Sequence, residues 1–420
     1  MNLLKRISIS PNHRGLIESF LSLSAVNGVN IILPLVTLPY LVRTVGLSNY
    51  GAYSIVYTII QYVLLISSYG FNYTTTKQIA QNRDNIQVVQ TIFYSTLYAR
   101  FIITILAIII GLIAILVIYP PVYLLMYIGG LGIVVGDVLN PVWLFQGFEK
   151  MRYMTYANLV CKALFTVLIF LFVREKDDYI YITLWNSAGF IASGLITLVI
   201  SFRIFRLRLI KVSCYDIWHS LKEGWTIFLS TIFMNIYRNS NIFLLGLFVS
   251  DYGVGVYSTA EKVVKAIQSV TAPVSNALFP YLSSSFSRKS IKDCSLQILS
   301  INRKICILFA VVSLALLVFS GFINKIFFGD SDQRIAVLIR YMSLVILIGG
   351  MNYILGIAGL VNLNQNKYFF LSVTVSGIFS LILLVVSVNY IDLYSGALAM
   401  ISAELILFIM CYCKIRRLSK

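Results

Sequence analysis

Charge is what this chain has least of. Of its 420 residues only 12% are Asp, Glu, Lys or Arg, while 59% are hydrophobic. Soluble globular chains carry about 25% charged and about 45–50% apolar residues. There are too few ionisable groups here to coat a water-facing surface, so the outer face has to meet lipid. Acids are scarcer still: 16 Asp and Glu against 33 Lys and Arg leave a net charge of +17. The only histidines are His13 and His219, both in polar segments, which nearly excludes a histidine-based catalytic or metal cluster. The six cysteines (Cys161, Cys214, Cys294, Cys306, Cys411, Cys413) avoid the segments read below as external, so no disulfide framework is expected. Cys411 and Cys413 lack the further ligands that a metal site needs. The polar, basic N-terminus and the Asn27 and Asn30 of the first apolar stretch do not fit a cleavable signal peptide.

What is present is a succession of apolar runs, each long enough to cross a bilayer as a helix of about 20 residues. Twelve spans are expected: 17–42, 50–71, 91–118, 121–146, 153–173, 179–202, 225–249, 253–280, 304–327, 335–361, 368–389 and 395–413. These runs are about twice the length of barrel strands and lack their alternation. The fold class is therefore an all-α polytopic membrane protein. With a cytoplasmic N-terminus, 22 Lys and Arg fall in inside segments and 5 outside, which places both termini in the cytoplasm. The positive excess is thus a topology signal, and no nucleic-acid partner is expected. External loops are short, with no room for an external catalytic domain.

The longest polar linkers, about 203–224 and 281–303, are on the inside. The first carries Ile210, Cys214, Ile217, Trp218 and Leu221 at near-helical spacing. It reads either as an amphipathic helix at the inner interface or as an ordinary linker. It divides the chain into residues 1–211 with spans 1–6 and residues 212–420 with spans 7–12. A faint repeat accompanies the division: Gly51-Ala52-Tyr53-Ser54 opens the second span and Gly255-Val256-Tyr257-Ser258 the eighth. Two parallel six-helix halves are a common transporter plan.

Ionisable groups inside a bilayer cost about 2.5–3.5 kcal/mol on insertion scales and persist beside water or a partner. Here Arg100, Lys162, Arg238, Lys262 and Lys265 lie deep in spans, with Arg340 nearer an end. The acids at similar depth are Asp137, Glu261 and Glu404, with Glu18 near the inner end of the first span. Glu261 and Lys265 are spaced i,i+4 and can pair. Each cation alone could serve as structural glue, but the set cannot pair one to one. The surplus predicts a hydrated, positively charged interior for an anionic cargo, with phosphate the natural group. Pro34 and Pro39 in the first span and Pro273 and Pro280 in the eighth permit bending.

Several stretches then resemble one family. Leu33-Pro34-Leu35-Val36-Thr37-Leu38-Pro39-Tyr40-Leu41-Val42-Arg43-Thr44-Val45-Gly46 is similar to the first-helix signature of Wzx-type O-antigen flippases. So are Tyr69-Gly70-Phe71-Asn72-Tyr73-Thr74-Thr75-Thr76, and Pro141-Val142-Trp143-Leu144-Phe145-Gln146-Gly147-Phe148-Glu149-Lys150-Met151. Tyr257-Ser258-Thr259-Ala260-Glu261-Lys262 followed by Pro273 and Phe279-Pro280 completes the set in register. The resemblance implies the multidrug/oligosaccharidyl-lipid/polysaccharide exporter superfamily: two pseudo-symmetric six-helix lobes around a central cationic cavity, rather than an enzyme. It implies a flippase moving undecaprenyl-pyrophosphate-linked oligosaccharide from the cytoplasmic to the periplasmic leaflet of the bacterial inner membrane, alongside other polysaccharide-assembly proteins. In that picture Arg100, Lys162, Arg238, Lys262 and Lys265 handle the cargo. Asp137, Glu261 and Glu404 are candidates for proton or sodium coupling, and no other cofactor is implied. Capsule, teichoic acid and peptidoglycan precursors stay open as cargoes. A small-molecule exporter and a membrane enzyme of polysaccharide assembly are the rival readings.

Overall fold

Proline, glycine and short polar caps decide where the helices of this chain begin and break. The computed structural model describes residues 11–269, 282, 286 and 290–420, excepting the side chains of 11–32, 34, 226, 230, 233, 234 and 236–238. Among the described residues there is no strand. Helix α1 (Pro11–Ser68) is interrupted at Gly46, whose φ of 82° and ψ of 164° are not helical. A side chain there would meet nothing within 4 Å, so the break demands glycine for its backbone alone. The two arms of α1 correspond to the first two expected spans.

Then follow α2 (Phe71–Gln81), α3 (Ile86–Ile118), α4 (Pro121–Val138), the short α5 (Val142–Gly147), α6 (Met151–Phe172) and α7 (Ile182–Phe205). Pro121 sits in the first turn of α4, where its missing N–H costs nothing. Pro141 prevents α4 from running on into α5. The second half comprises α8 (Cys214–Phe248), α9 (Asp251–Gln268), α10 (Ile291–Phe328), α11 (Gln333–Asn352), a π-helical stretch (Tyr353–Val361), α12 (Asn366–Ile391) and α13 (Tyr394–Leu418). Ser213, Ser250 and Ser290 cap α8, α9 and α10 by accepting a backbone N–H from the first turn.

Nine helical stretches among the described residues are long and apolar enough to cross a membrane. Each of the twelve expected spans overlaps a helix, though residues 270–280 of the eighth lie outside the described residues. The two arms of α1 run with α2 as one such stretch, Leu35–Gln81, and α8 adds the shorter apolar stretch Asn239–Phe248 among the described residues. Helix α9 carries Glu261, Lys262 and Lys265 and is too polar to count. Pro273, Phe279 and Pro280 lie outside the described residues.

Lipid exposure is written on single helices. On α3, Phe101, Leu106, Ile109, Ile110, Ile113 and Val117 point outward. Ile103, Thr104, Ala107, Gly111 and Ile115 face the bundle. Small residues on the inner face let α4 approach closely, as is usual where helices pack in lipid. Buried hydroxyls find local partners: Ser67 with Thr104 at 2.6 Å, and Thr183 donating to the Met126 carbonyl at 2.7 Å. Helix α7 packs along α4 and α6; α10 packs along α11, and α12 along α13.

The 203–224 linker is neither an isolated interfacial helix nor an irregular tether. Residues 207–213 are irregular, and from Cys214 the chain is one helix with the rest of α8. Ile217 and Leu221 pack against Tyr69, Phe71, Ala99 and Ile103 of the first half, while Trp218 is exposed. That apolar pair is half-buried, its covered side turned to protein.

Candidate functional site

The two tetrapeptides of the faint repeat meet face to face. The second arm of α1 crosses α9 so closely that a Cβ on Gly51 would overlap the Asp251 carbonyl. One on Gly255 would overlap that of Leu47. Ser258 Oγ donates to Ser54 Oγ at 3.2 Å. Glycine at both positions is what allows backbone-to-backbone contact between the halves. Around this crossing a single hydrophobic core draws on both, from Leu41, Ile55 and Ile60 to Val256, Val264 and Ile339. At the same end Tyr123 donates to the Asp251 carboxylate and Arg43 to the Ile326 carbonyl, each bridging the halves. On the rim, Tyr252 donates to Asp332 at 3.0 Å. Burial alone would raise that carboxyl, but hydrogen bonds from Arg334 and Tyr252 outweigh it and hold it below the usual carboxylate range.

The opposite end is rich in Lys and Arg. There the halves keep separate cores, one around Phe93, Trp143 and Phe205, the other around Ile298, Leu355 and Leu407. The extension of α8 crosses between them, with Ser220 donating to Ser95 at 3.1 Å and Tyr69 stacked on Phe228. Among the described residues the halves thus share one large core at the far end, while at the basic end each keeps its own and they meet through the smaller contact of α8 with Tyr69, Phe71, Ala99 and Ile103.

Lys262 lies below the glycine crossing. It is eleven residues past Asp251, roughly 16 Å along the helix at 1.5 Å per residue. Its ammonium group donates to the Tyr50 hydroxyl at 2.5 Å. It also lies 4.7, 5.4 and 5.8 Å from the ring centroids of Tyr50, Tyr53 and Tyr57. The three tyrosines occupy one face of the second arm of α1, spaced i, i+3, i+7. A cation over aromatic faces gains about 0.5–2 kcal/mol. Lys262 forms no ion pair among the described residues. The tyrosine stripe was visible in the sequence as spacing, but nothing there tied it to a lysine some two hundred residues away.

The other expected site residues have different settings. Lys265 pairs with buried Glu261 at 3.1 Å, as the i,i+4 spacing predicts. Glu261 also accepts from Tyr257 at 3.3 Å, and Tyr257 from Asn241 at 3.1 Å. Lys265 borders a polar cavity of about 290 Å³ inside the second half, together with Asn235, Asn239, Gln268 and Glu404. Glu404 accepts from Asn352 at 2.6 Å and from Gln268 at 3.3 Å. Arg100 stands apart from all of these. Only 3% exposed, it pairs with Asp137 and donates to the Asp137 carbonyl at 2.9 Å. Its guanidinium lies 5.3 Å from the Trp143 ring centroid. This pair joins α3 to α4 within the first half, so the structure gives Arg100 and Asp137 a bracing geometry instead of a shared cavity lining. Lys162 is partly buried on α6, and the Arg238 side chain lies outside the described residues. None of the six cysteines is in a disulfide, and the described residues contain no His/Cys/Asp/Glu group able to hold a metal.

Residues 16–286 match the family model described as "Polysaccharide biosynthesis protein". Over 401 residues the chain is 25% identical to "Putative O-antigen transporter" of Escherichia coli (strain K12), covering 94% of this chain and 95% of that one. In fold it is similar to an inward-facing multidrug resistance MATE family transporter of the MOP superfamily. That TM-score is 0.75 at 14% identity, over 92% of this chain and 94% of the other. It is also similar to lipid II flippase MurJ in an inward closed conformation. There the TM-score is 0.66 at 13% identity, over 94% and 87% of the two chains.

Proposed function

The chain belongs to the polysaccharide biosynthesis protein family, and on that footing we propose that it flips undecaprenyl-pyrophosphate-linked O-antigen or related polysaccharide repeat units across the bacterial inner membrane by alternating access. Residues 1–211 and 212–420 act as the two moving lobes, with both termini in the cytoplasm, where the basic end belongs by the positive-inside bias. The resting form faces inward: the far end is joined through one large shared core, while at the basic end each half keeps its own core beside the smaller α8 contact. Rocking about the α1–α9 crossing opens the far end and closes the basic one.

The observation that carries this reading is Lys262 on the boundary between the lobes. It is held by phenol and ring faces and forms no ion pair among the described residues, the neighbouring Glu261 being paired with Lys265. A cation at that depth is costly unless it serves an anion during the cycle. When the lobes part, Lys262 leaves the Tyr50–Tyr53–Tyr57 face and meets the cargo diphosphate. Lys265 supplies a second charge from the polar cavity, and Glu261 and Glu404 are the carboxylates placed to exchange a proton or sodium ion. The glycan travels in the divided interior and the lipid tail stays in the bilayer. No hydroxyl then crosses hydrocarbon unpaired, which would cost several kcal/mol for each one.

Replacing Lys262 tests this. In a host lacking its own copy, Lys262→Gln should lower export of repeat units about tenfold or more at unchanged protein level. A hydrogen bond to a charged group contributes about 1.5–3 kcal/mol. Lys262→Arg should retain much of the activity. Undecaprenyl-linked units should accumulate at the cytoplasmic face, and their glycan identifies the cargo among O-antigen, capsule, teichoic acid and peptidoglycan precursors. Wild-type export by Lys262→Gln overturns the role of Lys262, and loss of the lipid-linked intermediate points to a synthetic enzyme.

A further inference from the structure

A second, separate cavity of about 560 Å³ lies at the basic end of the first half. Three chain turns build it: Arg83 after α2, Phe148 to Lys150 between α5 and α6, and Ile204 to Arg208 at the end of α7. Arg83, Lys150, Arg206 and Arg208 all line it, with Gln87 and Gln90 as further polar groups. Among the described residues one carboxylate meets these cations: Glu149, 2.7 Å from Arg83 and 75% exposed. The Nε of Arg83 is a buried donor with no acceptor among the described residues. Glu149 and Arg206 have φ of 56° and 50°, a left-handed conformation uncommon for such side chains. Strain of this kind gathers where a side chain must be held in one direction. Lys150 is fixed 5.4 Å from the Phe205 ring centroid. Exposed apolar residues border the basic wall: Ile86 on the cavity itself, and Leu209 one residue beyond Arg208 at 86% exposure.

We propose that this cavity binds the phosphate group of an anionic membrane lipid, with the apolar border taking the first methylenes of its tails. Basic pockets between membrane helices on the cytoplasmic side favour phosphate headgroups. Arginine supplies the forked donors that phosphate accepts. Two lipids carry this chemistry at the same leaflet: a bulk phospholipid with a phosphodiester headgroup, and the polyprenyl diphosphate of a waiting cargo. The phosphate site itself does not depend on what the protein transports.

The test uses the full-length protein in detergent, with bound lipid read by native mass spectrometry. The probes are phosphatidylglycerol, undecaprenyl diphosphate and, as a zwitterionic control, phosphatidylcholine. The wild type should retain at least one anionic probe in preference to phosphatidylcholine. Arg206→Gln with Arg208→Gln should weaken that binding about tenfold or more, since each cation contributes roughly fivefold. Both arginines are exposed, so the fold should survive. Arg203→Gln with Lys211→Gln removes two nearby exposed cations outside the cavity and should change nothing. Retention of phosphatidylglycerol identifies a bulk-lipid site, and retention of undecaprenyl diphosphate alone identifies a waiting site for cargo. Equal binding of all three probes, or equal loss from both double variants, overturns the proposal. Because no transport is measured, its failure is distinguishable from failure of the flippase reading.

Discussion

Gly51→Ala and Gly255→Ala should each reduce transport to near background while the protein still inserts and folds. Alanine normally strengthens a helix by about 0.8–1 kcal/mol over glycine, so propensity predicts a gain. The loss comes from geometry. Each new Cβ would overlap a backbone carbonyl of the opposite helix, at Asp251 or at Leu47, and backbone has no rotamer in which to retreat. Overpacking of this kind costs about 1–3 kcal/mol, and the cheapest relief is separation of α1 from α9. The variants should therefore populate forms open at the far end, seen as a longer distance between spin labels placed on either side of the crossing. Export and label distance should change together. Normal export from either variant would mean that this crossing is not needed closed.

Removing one partner of the Arg100–Asp137 pair should be the most damaging change to stability. Breaking a buried ion pair costs about 3–5 kcal/mol, because a charge is left without its partner. Asp137 is 31% exposed on its side chain, which moves the expectation toward the lower figure. Arg100→Met should therefore sharply lower the amount of folded protein and its thermal midpoint in detergent. Adding Asp137→Leu should recover most of the loss, since neutral replacement of both partners is often close to neutral overall. The double variant also separates two roles for Arg100. A brace predicts restored folding and restored export together. A cargo-binding arginine predicts folded protein that cannot export, and that result would assign Arg100 to the substrate contacts.

The helical framework was open to reading because lipid imposes length: an apolar run of about 20 residues leaves few choices. The repeat Gly51-Ala52-Tyr53-Ser54 and Gly255-Val256-Tyr257-Ser258 was readable as similarity, and its meaning, that the copies touch, needed coordinates. Charge depth was readable in the same way, but pairing across the bundle was not. Arg100 and Asp137 are 37 positions apart on different helices, and periodicity cannot say which faces meet. Glu261 and Lys265 pair within one helix, which is why spacing alone found them. The 203–224 linker shows the remaining gap. Its apolar residues suited a helix or an ordinary linker alike, and whether Ile217 and Leu221 would meet lipid or Tyr69 and Phe71 depended on the opposite lobe.

In the proposed cycle the far end must open for cargo to leave. A cysteine pair tests it directly: Ser54→Cys with Ser258→Cys, in a protein whose six native cysteines are replaced. The two hydroxyl oxygens are 3.2 Å apart, close enough for a disulfide to form with little movement. Export of lipid-linked glycan should stop on oxidation and return on reduction. Undiminished export by fully oxidised protein would show that the lobes stay joined there throughout the cycle, and the account of α1 and α9 as the moving seal would fail.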